Sequence, residues 1–167
     1  MLHPAGRGVT VVLAIDPGSE QSAWLVYNPV TRGIRSFAID SNAELVALLR
    51  PGLSSDIDAV AIERIESYGM AVGREVFDTV WWAGRFAEAV RPVPVYQVPR
   101  REVKLAICGD TRAKDANIRS ALLDLFGGQA AAVGRKATPG PLYGISRDVW
   151  SALAIAVTFA GRLPVDA

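Results

Sequence analysis

Three acidic residues occupy positions where a carboxylate is costly to keep. Asp16 ends the apolar run Val11-Val12-Leu13-Ala14-Ile15 and is followed at once by Pro17-Gly18. Such a run, rich in β-branched side chains and stopped by Pro and Gly, reads as a strand buried on both faces. Glu63 ends a second run of this kind, Ile57-Asp58-Ala59-Val60-Ala61-Ile62, so two strands present an acid at the edge where α/β sheets bind ligands. Asp148 opens a third apolar segment, Val149 to Ala160, whose length and alanine content predict a buried helix. An unpaired carboxylate in such a place must give up its ionisation or find a cation. Singly, each acid has a structural role open to it: Asp16 could cap the next turn, and Asp148 could satisfy free N–H groups at a helix N-terminus. Together they predict a pocket of like charges that stays folded and ionised only with divalent cations in it.

The rest of the chain narrows the chemistry. Its 167 residues, half of them apolar, suffice for one domain with its own core. The sole histidine, His3, lies in a polar stretch, residues 1–8, expected to be a flexible tail, with a single domain over 9–167. Ser-His-Asp catalysis and histidine-zinc sites are thereby excluded. The single cysteine, Cys108, has no partner for an internal disulfide and reads as a small apolar core residue in a reducing, cytoplasmic setting. No apolar stretch of ~20 residues predicts a membrane span, and the N-terminus lacks a signal-peptide layout.

Net charge is only +1, but its distribution is uneven. Between Pro99 and Arg147 stand nine basic residues (Arg100, Arg101, Lys104, Arg112, Lys114, Arg119, Arg135, Lys136 and Arg147) and four acids (Glu102, Asp110, Asp115 and Asp124), giving that segment +5 and the remainder −4. A solvated helix face could carry the same count. Part of the basic segment, Gly134-Arg135-Lys136-Ala137-Thr138-Pro139-Gly140-Pro141, is too rich in Gly and Pro for regular helix and is expected to be a mobile loop. Basic loops beside a carboxylate pocket suit a phosphate backbone.

The elements that must position these residues follow from the pattern. Strands are expected at Val9–Ile15, Ser22–Tyr27 and Gly33–Ile39 as an antiparallel meander, then at Ile57–Glu63 and Val93–Val98. Helices are expected from Ser41 or Asn42 to Leu49, over Val72–Val90, over Lys114–Phe126 and over Arg147–Ala160. This order predicts a five-stranded mixed sheet covered on both sides by helices. The Val72–Val90 helix carries more apolar surface than one core-facing stripe requires. The surplus at Phe77, Trp81, Trp82 and Phe86 predicts a two-fold contact between copies, the other reading being burial within one subunit.

Four blocks, Leu13 to Gly18, Ala59 to Glu63, Val103 to Gly109 leading into Arg112-Ala113-Lys114, and Asp148 to Thr158, resemble in order and spacing the RuvC-type Holliday junction resolvases. The likeness covers nearly the whole chain and looks closest to the small bacteriophage and prophage versions, in which a run like Glu66-Ser67-Tyr68-Gly69-Met70 also follows the catalytic Glu. It implies a ribonuclease H-like three-layer α/β/α fold, a homodimer, and cutting of paired strands at a four-way DNA junction with Mg²⁺, for which Mn²⁺ can substitute. By position, Asp16, Glu63 and Asp148 match the family's catalytic metal ligands. The family's usual second acid or histidine on the last helix falls here on Ser151, so the count of one or two metals depends on whether Ser151 or Glu66 completes the set. Glu66 reads otherwise as a solvated loop residue. Tyr68 matches an aromatic that stacks at the opened junction, although its spacing is longer than in the best-known members, and a buried tyrosine with a satisfied hydroxyl is the other reading. Arg100, Arg101, Lys104, Arg112, Lys114, Arg135 and Lys136 are the expected phosphate contacts. Two other readings stay open: a superfamily nuclease acting on RNA, and a branched-DNA-binding module that no longer cuts. Actin-like sugar kinases and chaperone ATPases share the opening motif but need about twice this length.

Overall fold

The computed structural model describes residues 11–163. The expected tail and His3 lie outside them, as do the first two residues of the first expected strand. Strands β1 (Val12–Asp16), β2 (Gln21–Asn28), β3 (Gly33–Ser41), β4 (Ala59–Arg64) and β5 (Val95–Pro99) form one sheet in the order β3-β2-β1-β4-β5. The first three are antiparallel and β4 and β5 run parallel to β1, so the expected mixed sheet is present.

The two-residue period of β1 and β4 divides the core. Leu13, Ile15, Val60 and Ile62 pack on one face with Leu45 and Leu49 of α1 (Asn42–Leu49) and Phe86 of α2 (Arg74–Ala89). Val12, Ala14, Ala59 and Ala61 face the other side, toward Leu153, Ile155 and Phe159 of α6 (Val149–Ala160). Nine of the twelve residues of α6 are buried. Alanine is used on both partners, at Ala14, Ala59 and Ala61 on the strands and at Ala152, Ala154 and Ala156 on the helix. Small side chains there let the helix backbone approach the sheet closely, so the position of its N-terminus is tightly defined.

Two sequence expectations need correction. Residues left without an element form α3 (Arg100–Cys108), which follows Pro99 and ends at Gly109 in the left-handed conformation, φ 69°. That is the Pro-before, Gly-after punctuation of a short helix, and its single buried residue, Val103, gives too weak a stripe to read as periodicity. The supposed mobile loop is a two-stranded hairpin, β6 (Gly134–Arg135) with β7 (Thr138–Pro139), following α4 (Asp115–Leu125) and α5 (Gln129–Val133). Gly134 permits it: a Cβ there would lie 2.4 Å from the Thr138 carbonyl oxygen. The chain beyond is tied down by the Leu142 N–H donating to the Ala132 carbonyl, with Leu142 fully buried.

Candidate active site

Parity puts the first two acids on one side of the sheet. Asp16 continues the Val12 and Ala14 series, and Glu63 continues the Ala59 and Ala61 series, so both belong to the α6 face. β1 and β4 are in register with Ile15 opposite Ile62, which brings the next residues of both strands level. Their carboxyl groups are hydrogen-bonded to each other. Burial, the bond to Glu63, and the negative charges of Glu63 and Asp148 hold the Asp16 carboxyl well above its ordinary range, against a partial offset from the Arg100 guanidinium.

The structural roles open to the acids are taken by other groups. The turn after β1 is held by Ser22 and Asn42: the Gly18 N–H donates to Ser22 Oγ at 3.1 Å, and Asn42 Nδ2 donates to the Gly18 carbonyl at 2.9 Å. Ser22 and Asn42 are themselves buried and joined by a 2.6 Å hydrogen bond. Asp16 therefore does not cap that turn. Asp148 stands at the N-cap of α6, yet its side chain makes no capping hydrogen bond.

A cavity of about 350 Å³ is lined by Asp16, Glu63, Glu66, Tyr68, Arg100 and Ser151. It joins both alternatives for a fourth ligand to the same opening. Glu66 is an exposed loop residue paired to Arg64 at 3.3 Å, and Ser151 lies one helical turn after Asp148. A second cavity, about 390 Å³, shares Tyr68 and Arg100 with the first and adds Arg101, Lys104 and Thr111, so one face of α3 carries three of the expected phosphate contacts beside the acids. Tyr68 is not the buried tyrosine of the alternative reading, since it is 56% exposed and held in the left-handed region at φ 51°. Desolvation first, with the nearby Glu66 and Glu63 charges, raises the pKa of its phenol against a partial offset from the Arg101 backbone. Of the remaining basic candidates, Arg112 is paired to Asp110, Lys114 precedes α4, and Arg135 and Lys136 belong to the hairpin; none lines these two cavities. The sequence reading missed one relationship, that Arg100 is the cation beside Asp16 as well as an ion-pair partner of Asp115.

The donors suit a hard cation, being carboxylates and one hydroxyl with no sulfur or imidazole. Among the described residues no three Asp, Glu, His or Cys side chains stand close enough together to enclose a metal. Mg²⁺ does not require such a cage, since it keeps several waters and is held by one or two carboxylates together with substrate phosphates. A pair of linked carboxylates with a third acid alongside fits that ion.

The layers, the strand order and an acid-tipped central pair define the ribonuclease H-like α/β/α fold. The chain is similar to Thermus thermophilus RuvC, with a TM-score of 0.58 and 21% identity over 90% of this chain and 93% of that one. It is equally similar to T. thermophilus RuvC in complex with Holliday junction substrate, with a TM-score of 0.59, 20% identity and the same coverage. The yeast mitochondrial Holliday junction resolvase Ydc2 aligns over 94% of this chain and 80% of its own, with a TM-score of 0.56 and 11% identity. No protein-family model matches the chain, and no curated protein matches it in sequence. At these identities the likeness establishes the fold.

Proposed function

We propose that the protein is a divalent-metal-dependent endodeoxyribonuclease that resolves four-way or other branched DNA junctions by phosphodiester hydrolysis. The observation that carries this reading is the Asp16–Glu63 carboxyl pair with Asp148 beside it, on elements whose other needs are met by Ser22 and Asn42. Asp16, Glu63 and Asp148 would hold Mg²⁺ or Mn²⁺, with Ser151 or Glu66 completing the set. A bound ion would neutralise charge on a phosphate and supply a water ready to lose its proton. The chain's own groups do the rest. Arg100, Arg101 and Lys104 bring a phosphate strand across the acid pair, and Tyr68, exposed and lining both cavities, offers an aromatic face on which a base at an opened junction can stack.

Paired cuts need two copies. The exposed residues of α2 include Phe77, Val80 and Trp81, at 64, 49 and 67% exposure, with Met70 at 71% just before it. Spacing of three and four residues puts Phe77, Val80, Trp81 and Gly84 on one stripe, and such a stripe supports a homodimer through this helix. No helix among the described residues is long and apolar enough to cross a membrane. Incubation of a synthetic four-way junction, a fork, a linear duplex and a structured RNA, each with and without Mg²⁺, tests the proposal. Symmetric, metal-dependent nicks confined to the branched DNA are expected. Cutting of RNA alone would move the assignment to an RNA nuclease, and junction binding without any product would make the protein a binding module.

A further inference from the structure

On the far side of Arg100 and Ser151 from the acid pair lies a third cavity, about 320 Å³, between α4 and the start of α6. Its lining includes Arg119, Arg147, Asp148 and Trp150 as well as Arg100 and Ser151, so it opens beside the same catalytic edge. Its charges are unevenly matched. Arg100 is ion-paired to Asp115, whereas the Arg147 guanidinium has neither a hydrogen bond nor an ion pair among the described residues, although its backbone carbonyl accepts from the Trp150 N–H. The Arg119 guanidinium lies 4.9 Å from the centre of the Trp150 ring, which fixes the cation without neutralising it. The Trp150 indole N–H is buried and has no acceptor, although the residue is only 8% exposed. Arg147 also holds a left-handed backbone, φ 49°, which glycine would adopt freely and arginine does not.

Three guanidinium groups against the two carboxylates of Asp115 and Asp148 leave this cavity net positive, and two of the three, Arg119 and Arg147, have no ion pair, which suits an anion with several acceptor oxygens. We propose that Arg119 and Arg147, with Trp150, form a second phosphate-binding site that grips the phosphodiester neighbouring the one at the acid pair. It rests on the nuclease reading above, and it assigns the direction in which the cut strand leaves the site, over the α4–α6 side rather than along α3 alone. The strained backbone of Arg147 persists because its side chain must reach this phosphate.

The test is junction affinity measured by fluorescence anisotropy across a salt series in the absence of divalent metal, using the full chain as wild type, Arg119→Gln, Arg147→Gly and the double variant. Glycine at 147 relieves the backbone and so separates lost contact from lost folding, which thermal melting of each variant checks. The double variant is expected to bind at least tenfold more weakly at moderate salt, with the slope of log affinity against log salt reduced by about 1, the value for one phosphate. With metal restored, KM should rise while kcat changes little, because a flanking phosphate is held equally in ground and transition states. An unchanged slope and affinity in a double variant whose wild type binds the junction overturns the second site and leaves the nuclease reading standing. A wild type that neither binds nor cuts branched DNA overturns both.

Discussion

The two faces of the sheet finish their surfaces in opposite ways. On the α6 face the chain buries nearly all of its helix, and what remains at the strand-end edge is charge: Asp16, Glu63, Asp148 and the arginines around them. On the α2 face Phe86 and Val90 are buried, but Phe77, Val80 and Trp81 are left bare. A monomeric surface rarely keeps such a stripe, whereas a carboxylate cluster is tolerable only where ligands complete it. The residue type left unfinished thus separates the edge proposed for chemistry from the stripe proposed for assembly.

The largest effect that would break this contrast is on cutting. Asp16→Asn should lower junction cleavage by at least ~10³-fold while leaving binding equal or tighter, because it removes a metal ligand and a negative charge next to phosphate. Wild-type turnover by this variant would remove the acid pair from the mechanism. The same substitution should stabilise the metal-free protein. Since the folded state raises the Asp16 pKa, it binds more protons than the unfolded chain above the ordinary carboxylate value, and stability falls as pH rises through that window up to the folded pKa. Asparagine carries no such liability, so thermal melting at neutral pH without metal should rise by roughly 2–4 °C, and added Mg²⁺ should stabilise wild type more than the variant.

Assembly comes next in size. Sedimentation at micromolar concentration should show a dimer for the wild type, as the proposed function requires, and a monomer for Trp81→Glu, which places a charge in the bare stripe, with the two nicks of a junction becoming uncoupled. Its monomer should keep near-wild-type melting, since Trp81 contributes little to its own subunit's core. Phe86→Ala is the counterpart on the same helix: it should cost about 3–5 kcal/mol of stability by opening a void in the core. A wild type that sediments as a monomer would leave the exposed stripe without this explanation.

How much of this could be read in the sequence follows from how local each signal is. The ends of β1 and β4 were legible because an unbroken apolar run stopped by an acid is complete within a few residues, and parity with the strand register then assigns Asp16 and Glu63 to one face. The helix at Asp148 was equally plain from its unbroken apolar length. α3 was harder, with one buried residue and four charges in nine positions, so its only clear marks were Pro99 and Gly109. The left-handed backbones of Tyr68 and Arg147 left no local trace, since neither residue type predicts φ above zero. Nor did the cavity between α4 and α6, which exists because Arg119 and Trp150, thirty-one positions apart, are stacked by tertiary packing. Two of the three non-glycine residues at positive φ line the cavities around the acids, and strain of that kind is retained where geometry matters more than stability.

The smallest expected effect sharpens the contrast at a single position. Ser151 lies one turn after Asp148 and lines the same cavity as Asp16 and Glu63, so a carboxylate placed there would face them. If the α6 side lacks a fourth anionic ligand, Ser151→Asp should lower the Mg²⁺ concentration for half-maximal cleavage by a few fold, at the cost of a less stable metal-free protein through added repulsion. Glu66→Gln should then change cleavage little, because Glu66 is occupied with Arg64. The opposite pattern, severe loss in Glu66→Gln and slower cutting in Ser151→Asp, would mean that the loop after β4 supplies the missing carboxylate and that an added aspartate crowds it. A Mg²⁺ titration of both variants decides between a site finished by a hydroxyl on α6 and one finished by an acid on the loop, and with it how far the charged edge extends beyond the two central strands.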